Sequence, residues 1–294
     1  MRDIVFLIRP HQWAKNVFVF LPLFFSKHIM EWEYIVQCMI AFIAFCLLAS
    51  AVYCFNDIHD VEADRKHPVK CKRPIASGSV SVTMGYLVMS ICIMASFSLL
   101  LIVRYINSIE KVIFLLVAYL IINIAYCLWL KQKSIIDVFV IAVGFVLRVM
   151  VGGYATKIWL SEWIILMTFL LSLFLAFAKR RDDVVIFERT GIMSRKNTVR
   201  YNLEFMNSTL CVVASITMVC YILYTVSPEV TQRMDSNYLY LTSIFVLAGV
   251  IRYLQLVFVD NKSGSPTKVL MTDRFIQFCI IAWGMMFFVL LYVI

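Results

Sequence analysis

The chain has 294 residues, 62% of them hydrophobic and 15% charged, with a formal net charge of +9 and a mean hydropathy of +0.87. A soluble domain is about half apolar and about a quarter charged, so composition excludes an ordinary globular enzyme. The basic balance comes without an interleaved aromatic-basic module, and nucleic acid is not among the expected partners. Runs of about 20 apolar residues recur, and in lipid such runs cross as helices. The fold class is therefore all-α: a polytopic membrane helical bundle of about nine transmembrane helices, read as one domain over residues 1–294.

In chain order, residues 1–16 carry Arg2, Arg9 and Lys15 and read as a cytoplasmic approach. Only five apolar residues separate Asp3 from Arg9, too few for a signal-peptide core. Spans are predicted near 13–29, 34–55, 81–103, 111–130, 135–155, 160–179, 205–227, 238–259 and 274–293. With the N-terminus inside, the inner segments hold 19 of the 27 Lys and Arg and the outer ones five. That asymmetry puts the two long charged loops, 56–80 and 179–203, on the cytoplasmic side, where they can converge on one site; the membrane expected is the inner (plasma) membrane. The nine cysteines include no C-x-x-C pair and read as small buried hydrophobes.

The second span ends in Asn56-Asp57-x-x-Asp60-x-x-x-Asp64. Steps of three and four residues put the three carboxylates on one helix face, where they repel unless a cation sits among them. Five cations follow within nine residues: Arg65, Lys66, Lys70, Lys72 and Arg73. Oxygen ligands suit Mg²⁺, with Mn²⁺ as its substitute, and Lys and Arg suit phosphate oxygens, the layout for a diphosphate–Mg²⁺ substrate. A solvated positive-inside loop accounts for the bases but not for the spaced acids.

Further on, Tyr126 precedes Lys131 and Lys133 and is a candidate for the site mouth or a plain interfacial tyrosine. Asp137 reads equally as a metal-side ligand or a helix cap. Arg148 lies inside a span, at a cost of about 2.5–3.5 kcal/mol unless it faces a polar cavity, and reads as a phosphate contact. A second charged cluster runs Lys179-Arg180-Arg181-Asp182-Asp183, with Glu188 and Arg189 after it. Its bland reading is a basic patch against anionic lipid. Two acid-plus-base loops, each after an even-numbered span, hint at weak internal duplication.

The Asp57, Asp60, Asp64 pattern resembles the first aspartate motif of the UbiA superfamily of intramembrane prenyltransferases. The continuation His67-Pro68-x-Lys70-x-x-Arg73-Pro74-Ile75-Ala76-Ser77-Gly78 and the opening Arg9-Pro10-x-Gln12-Trp13-x-Lys15-Asn16 resemble its decaprenyl-phosphate phosphoribosyltransferase branch. Aromatic prenyltransferases of the superfamily carry a second Asp-x-x-x-Asp motif, but here Asp183 and Glu188 are five apart. Lys179, Arg180 and Asp183 instead resemble the Lys-Arg-x-x-acid pattern of the phosphoribosyl branch; Ser265-Pro266 and Asp273-Arg274 resemble later parts of that branch, with helix capping as the plain alternative for Asp273.

The resemblance implies Mg-dependent transfer of 5-phosphoribosyl from phosphoribosyl diphosphate to a polyprenyl phosphate. Asn56, Asp57, Asp60 and Asp64 would hold the metal; Lys70, Arg73, Lys179 and Arg180 would hold the donor phosphates, with Asp183 beside them. Lys15, Asn16 and Arg148 are candidates for the acceptor phosphate, whose oxygen is already ionised and needs no strong base. His59 and His67 read as local hydrogen-bonding residues. The alternatives are a UbiA-type transfer of a prenyl group to an aromatic acceptor, and an ion-coupled transporter; the gathering of charge at one face counts against the latter.

Overall fold

The computed structural model describes residues 2–66, 69–102, 106–191, 198, 200–260 and 266–292. His67, Pro68 and Ser265 of the motifs above, and residues 192–197 and 199 of the second expected loop, lie outside the described residues. The described chain is helical and holds no strand. It divides into two compact units, Met1–Lys131 with Val143–Ser161, and Gln132–Ala142 with Glu162–Ile294.

The first unit begins with α1 (Arg2–Ile8), a 3-10 helix at Pro10–Phe20 and α2 (Leu21–Phe24). It continues through α3 (Trp32–His59), α4 (Val61–Arg65), a 3-10 turn at Lys70–Lys72, α5 (Val82–Ile102) and α6 (Ile109–Leu128). After a 3-10 turn at Leu130–Gln132 comes α7 (Ile136–Thr156), whose residues from Val143 on complete this unit.

At the centre stands α3, apolar on every side and buried at Ala41, Ala44, Phe45, Leu48 and Ala51. Its alanines admit close neighbours, and Ser96 on α5 donates to the Ala44 carbonyl at 2.7 Å. With 28 residues it is about 42 Å long against a hydrocarbon core of about 30 Å. The excess length carries Asn56 and Asp57 out on its last turn.

Among the described residues, eight helices are long and apolar enough to cross a membrane, matching eight of the nine expected spans. The remaining span, expected at 13–29, is built differently. Its first part is the 11-residue 3-10 helix; at a rise of about 2.0 Å per residue, it and the one-turn α2 reach roughly 28 Å. Gly152 of α7 makes room for this segment: a Cβ there would lie 1.9 Å from the Val19 carbonyl oxygen. Outward faces stay apolar, as at Phe114 and Ile121 of α6, which suits lipid rather than water.

The second unit starts with the first turns of α7 and continues with α8 (Glu162–Thr190), α9 (Leu203–Val226), α10 (Pro228–Met234) and a 3-10 turn at Leu239–Thr242. It ends with α11 (Ser243–Phe258), α12 (Pro266–Thr272) and α13 (Arg274–Tyr292). Its core gathers Val138, Phe174, Phe177, Leu210, Ala214, Tyr253 and Val257. α8 has 29 residues, so its last turns also exceed a membrane crossing. Lys179 to Asp183 therefore sit on helix, where the sequence suggested the start of a loop. A similar shift applies to Asn56 and Asp57.

Candidate active site at the end of α3

The aspartate motif straddles two helices. α3 stops at His59, Asp60 has φ −92° and ψ 7°, and α4 begins at Val61. Two backbone hydrogen bonds carry the helical phase across the break, Asp60 N–H to the Asn56 carbonyl at 3.0 Å and Asp64 N–H to the Asp60 carbonyl at 2.8 Å. Asp57 and Asp64 are buried, 1% and 3% exposed, and Asp60 is partly open. Asp57 and Asp64 are brought together on one arginine, while Asp60, at the break between the two helices, pairs with Lys131.

The cations among them belong to the protein. Arg73 Nη1 donates both to Asp57 Oδ1 at 3.1 Å and to Asp64 Oδ2 at 2.6 Å. Arg9 Nη2 donates to the same Asp57 Oδ1 at 2.5 Å. Lys131 Nζ donates to Asp60 Oδ1 at 2.5 Å. Asp57 Oδ2 is buried and has no hydrogen-bond partner among the described residues. A buried orphan carboxylate oxygen is costly, and a hard cation is the kind of group that would relieve it. Asn56 adds a neutral oxygen, which accepts a weak bond from Cys127 Sγ at 3.4 Å. Among the described residues no three of His, Cys, Asp and Glu already stand in metal-holding array. The donor chemistry fits Mg²⁺ or Mn²⁺; the side chains are arranged around arginine.

Arg9 and Lys131 are site residues that the sequence reading did not single out. Arg9 lay in the quoted Arg9-Pro10 motif, but nothing in that motif announced an aspartate partner. Its backbone is left-handed, with φ 53° and ψ 62°, a conformation costly for a residue with a side chain. Ser50 of α3 holds the turn by donating to the Ile8 carbonyl at 2.8 Å while accepting from Trp13 Nε1 at 3.0 Å. The Arg9 guanidinium also lies 5.3 Å from the centre of the Tyr53 ring.

Beside the carboxylates opens a cleft of about 610 Å³, lined by Arg2, Arg9, His11, Lys70, Lys72 and Arg73, with Asp3 as its one carboxylate. Arg9 and Arg73 line this cleft and bond the aspartates at the same time. The predicted phosphate residues Lys70 and Arg73 are thereby brought to one place.

Arg148 is 6% exposed and lies deep in the first unit. Its Nε donates to Asn16 Oδ1 at 2.8 Å, Nη1 to the Gly144 carbonyl at 2.6 Å and Nη2 to the Tyr119 hydroxyl at 3.2 Å. The rings of Phe45, Tyr119 and Phe145 surround its guanidinium at 4.9–5.1 Å. Neutral acceptors and cation–π contacts hold this charge at membrane depth. Asn16 is itself buried and donates to Cys46 Sγ at 3.1 Å. Arg148 and Asn16 thus form one contact, which fastens the 3-10 segment carrying half-buried Lys15 to α7. Tyr126 is half-buried on α6.

In the second unit, Arg180 is 2% exposed. Its Nε donates to Asp137 Oδ2 at 2.5 Å and its Nη1 to Asp183 Oδ2 at 2.9 Å. Asp137, 0% exposed, is therefore the partner of a buried arginine. Tyr201 donates weakly to the other Asp137 oxygen at 3.4 Å and accepts from the Ile135 N–H at 2.5 Å. Burial pushes the Tyr201 hydroxyl up to about 12. Arg181 is buried too, donating to Asn207 Oδ1 at 2.7 Å and the Val257 carbonyl at 2.8 Å. Lys179 is the exposed member of the cluster. Asp273 accepts from the Ile276 N–H at 3.0 Å, capping α13, and from Arg252 Nη2 at 2.9 Å.

The model of the UbiA prenyltransferase family matches residues 17–292. The decaprenyl-phosphate phosphoribosyltransferase of Mycolicibacterium smegmatis is 32% identical over 287 residues, covering 94% of this chain and 88% of that protein. The enzyme of the same name from Corynebacterium glutamicum is 32% identical over 278 residues, covering 94% and 82%. Among solved structures, a UbiA homolog from Archaeoglobus fulgidus bound to DMAPP and Mg²⁺ aligns with a TM-score of 0.71 at 17% identity, over 99% of this chain and 100% of that one. The backbone architecture is shared with that homolog.

Proposed function

Because the chain belongs to the UbiA prenyltransferase family and is a multi-pass integral membrane protein, we propose that it transfers 5-phosphoribose from phosphoribosyl diphosphate to a polyprenyl phosphate. The reaction takes place at the cytoplasmic face of the plasma membrane and releases diphosphate. One observation carries the reading: the buried carboxylates Asp57 and Asp64 adjoin an open cleft of six basic side chains. Acids for a metal and bases for several phosphate oxygens thereby share one mouth. The names of the 32%-identical relatives support the choice of donor and acceptor.

Asn56, Asp57, Asp60 and Asp64 would hold the Mg²⁺, with Asp57 Oδ2 supplying the buried oxygen that lacks a partner among the described residues. When bound, the metal supplies neutralisation of the charge that develops on the diphosphate leaving group. Lys70, Lys72 and Arg73 bind phosphate oxygens, Arg73 as a bidentate fork and the lysines as point charges. Charge on the leaving oxygens is met by these donors, which lowers the barrier without proton transfer. The acceptor phosphate oxygen is anionic at neutral pH, so none of the four histidines is required as a base. Arg148 and Asn16 fix the segment that presents Lys15 to the acceptor phosphate, and Tyr126 lines its approach. Lys179 is presented for a phosphate from α8, with Arg180 and Asp183 as its support.

The test is label transfer by the purified protein in detergent with Mg²⁺ and polyprenyl phosphate. Labelled phosphoribosyl diphosphate and labelled prenyl diphosphate with an aromatic acid are offered in parallel. An acid-labile, lipid-linked phosphopentose, lost with Asp57→Asn and with EDTA, is expected. A prenylated aromatic product, or no transfer from either donor, overturns the reading.

A further inference from the structure

We propose that Arg73, assisted by Arg9, is the protein's own stand-in for the metal: its guanidinium neutralises Asp57 and Asp64 until a divalent cation displaces it into the basic cleft. The proposal rests on the reading that these carboxylates hold a metal, and it concerns the state before any substrate binds.

Three observations lead to it. First, a single nitrogen, Arg73 Nη1, bonds one oxygen of each buried carboxylate, so it occupies the position between them that a shared cation would take. Second, among the described residues the ion pairs of the cluster match three acids with three bases: Asp57, Asp60 and Asp64 face Arg73, Arg9 and Lys131. A divalent ion added to a balanced cluster meets no net attraction until a cation leaves. Third, balance is reached without satisfying every oxygen, because Asp57 Oδ2 stays buried and has no hydrogen-bond partner among the described residues. A guanidinium saturates the carboxylate charge but not its lone pairs; a small metal ion does both.

The departing side chain has somewhere to go. Arg73 is 26% exposed, and it lines the cleft shared with Arg2, His11, Lys70 and Lys72. Moving there adds positive charge to a cleft with Asp3 as its one carboxylate, a cost that a polyanion arriving with the metal offsets. The arrangement therefore favours binding of metal and diphosphate together over binding of metal alone. It also keeps two buried carboxylates from standing uncompensated, which desolvation penalises.

The expected size follows from a related equilibrium. An arginine beside a carboxylate lowers its affinity for a proton by about 10- to 1000-fold. For a partly exposed guanidinium the lower end applies, so removing it should tighten binding of a bare divalent cation about tenfold.

The experiment is a Mn²⁺ titration of the full-length protein in detergent, without phosphoribosyl diphosphate or lipid, read by the electron paramagnetic resonance signal of free Mn²⁺. Arg73→Gln should bind about tenfold more tightly than wild type, and Arg73→Lys, which keeps the charge, close to wild type. Unchanged or weaker binding by Arg73→Gln overturns the proposal. Because that variant can lose the fold of its loop, a second measurement uses the wild type. Phenylglyoxal modification of Arg73, read by mass spectrometry, should rise when Mn²⁺ alone is added; no change, or protection, overturns the proposal. Neither measurement involves the group transferred, so a failed transfer assay and a failed displacement are told apart.

Discussion

Asp137→Asn tests the buried charge pair of the second unit. Asp137 is 0% and Arg180 2% exposed, with 2.5 Å between Oδ2 and Nε. Removing one partner of such a pair costs about 3–5 kcal/mol, because the other charge stays buried. Two features hold the asparagine variant at about 3 kcal/mol, the low end: its amide oxygen can still accept from Arg180 Nε, and Asp183 keeps Nη1 at 2.9 Å. Arg180→Met should cost more, about 4 kcal/mol, since among the described residues Asp137 is then left with the Tyr201 hydroxyl at 3.4 Å. Combining Asp137→Leu with Arg180→Met removes both charges and should bring stability within about 1 kcal/mol of wild type. Reversible unfolding in mixed micelles by SDS, followed by circular dichroism, gives the three values. Single variants costing under about 1 kcal/mol, or a double variant as unstable as the sum of its parts, would refute the assignment of Arg180 to a buried structural pair.

Gly152→Ala and Gly153→Ala form a matched comparison. The first would put a Cβ 1.9 Å from the Val19 backbone oxygen and should lose about 2 kcal/mol. The second first meets the movable Leu160 side chain, from 2.5 Å, and should lose less than about 1 kcal/mol in the same unfolding assay. Ile135 is a β-branched residue at φ 69°, and Ile135→Asn, which tolerates that conformation, should stabilise by about 1 kcal/mol. Arg252 donates to Asp273 and holds its carboxyl below the ordinary value of 3.8. With the folded-state value depressed, the pair's contribution is complete above the ordinary value and is lost as pH falls through the lowered one. Thermal stability of wild type should therefore drop below pH 3.8 by a component that Asp273→Asn lacks; parallel curves for the two proteins would exclude it.

Much of the site was legible because chemistry and spacing coincided. Asp57, Asp60 and Asp64 stand in helical steps, and the backbone keeps that phase even across the break at Asp60. Lys70 and Arg73 follow closely enough that a short loop returns them to the same cleft. Arg180 was harder to read. Next to exposed Lys179 in a basic run it looked like a phosphate ligand, and its burial follows from Asp137, 43 residues earlier. Arg148 was recognised as out of place in lipid, but its partners are neutral side chains and rings, and these leave no charge signature in a sequence.

Hydropathy by itself determined eight of the crossing helices, since lipid permits few structures other than a helix for a long apolar run. Local spacing likewise determined the acidic face. The 3-10 geometry of residues 10–20, the left-handed Arg9 and the ties of Ser50, Asn16 and Gly152 came only from the tertiary structure. So did the identity of the cations facing each aspartate. Arg9 and Lys131 lie 48 and 71 residues from their carboxylates. Charge pairing across such distances is set by which helices pack against α3, and packing depends on side-chain shape, which local pattern does not encode.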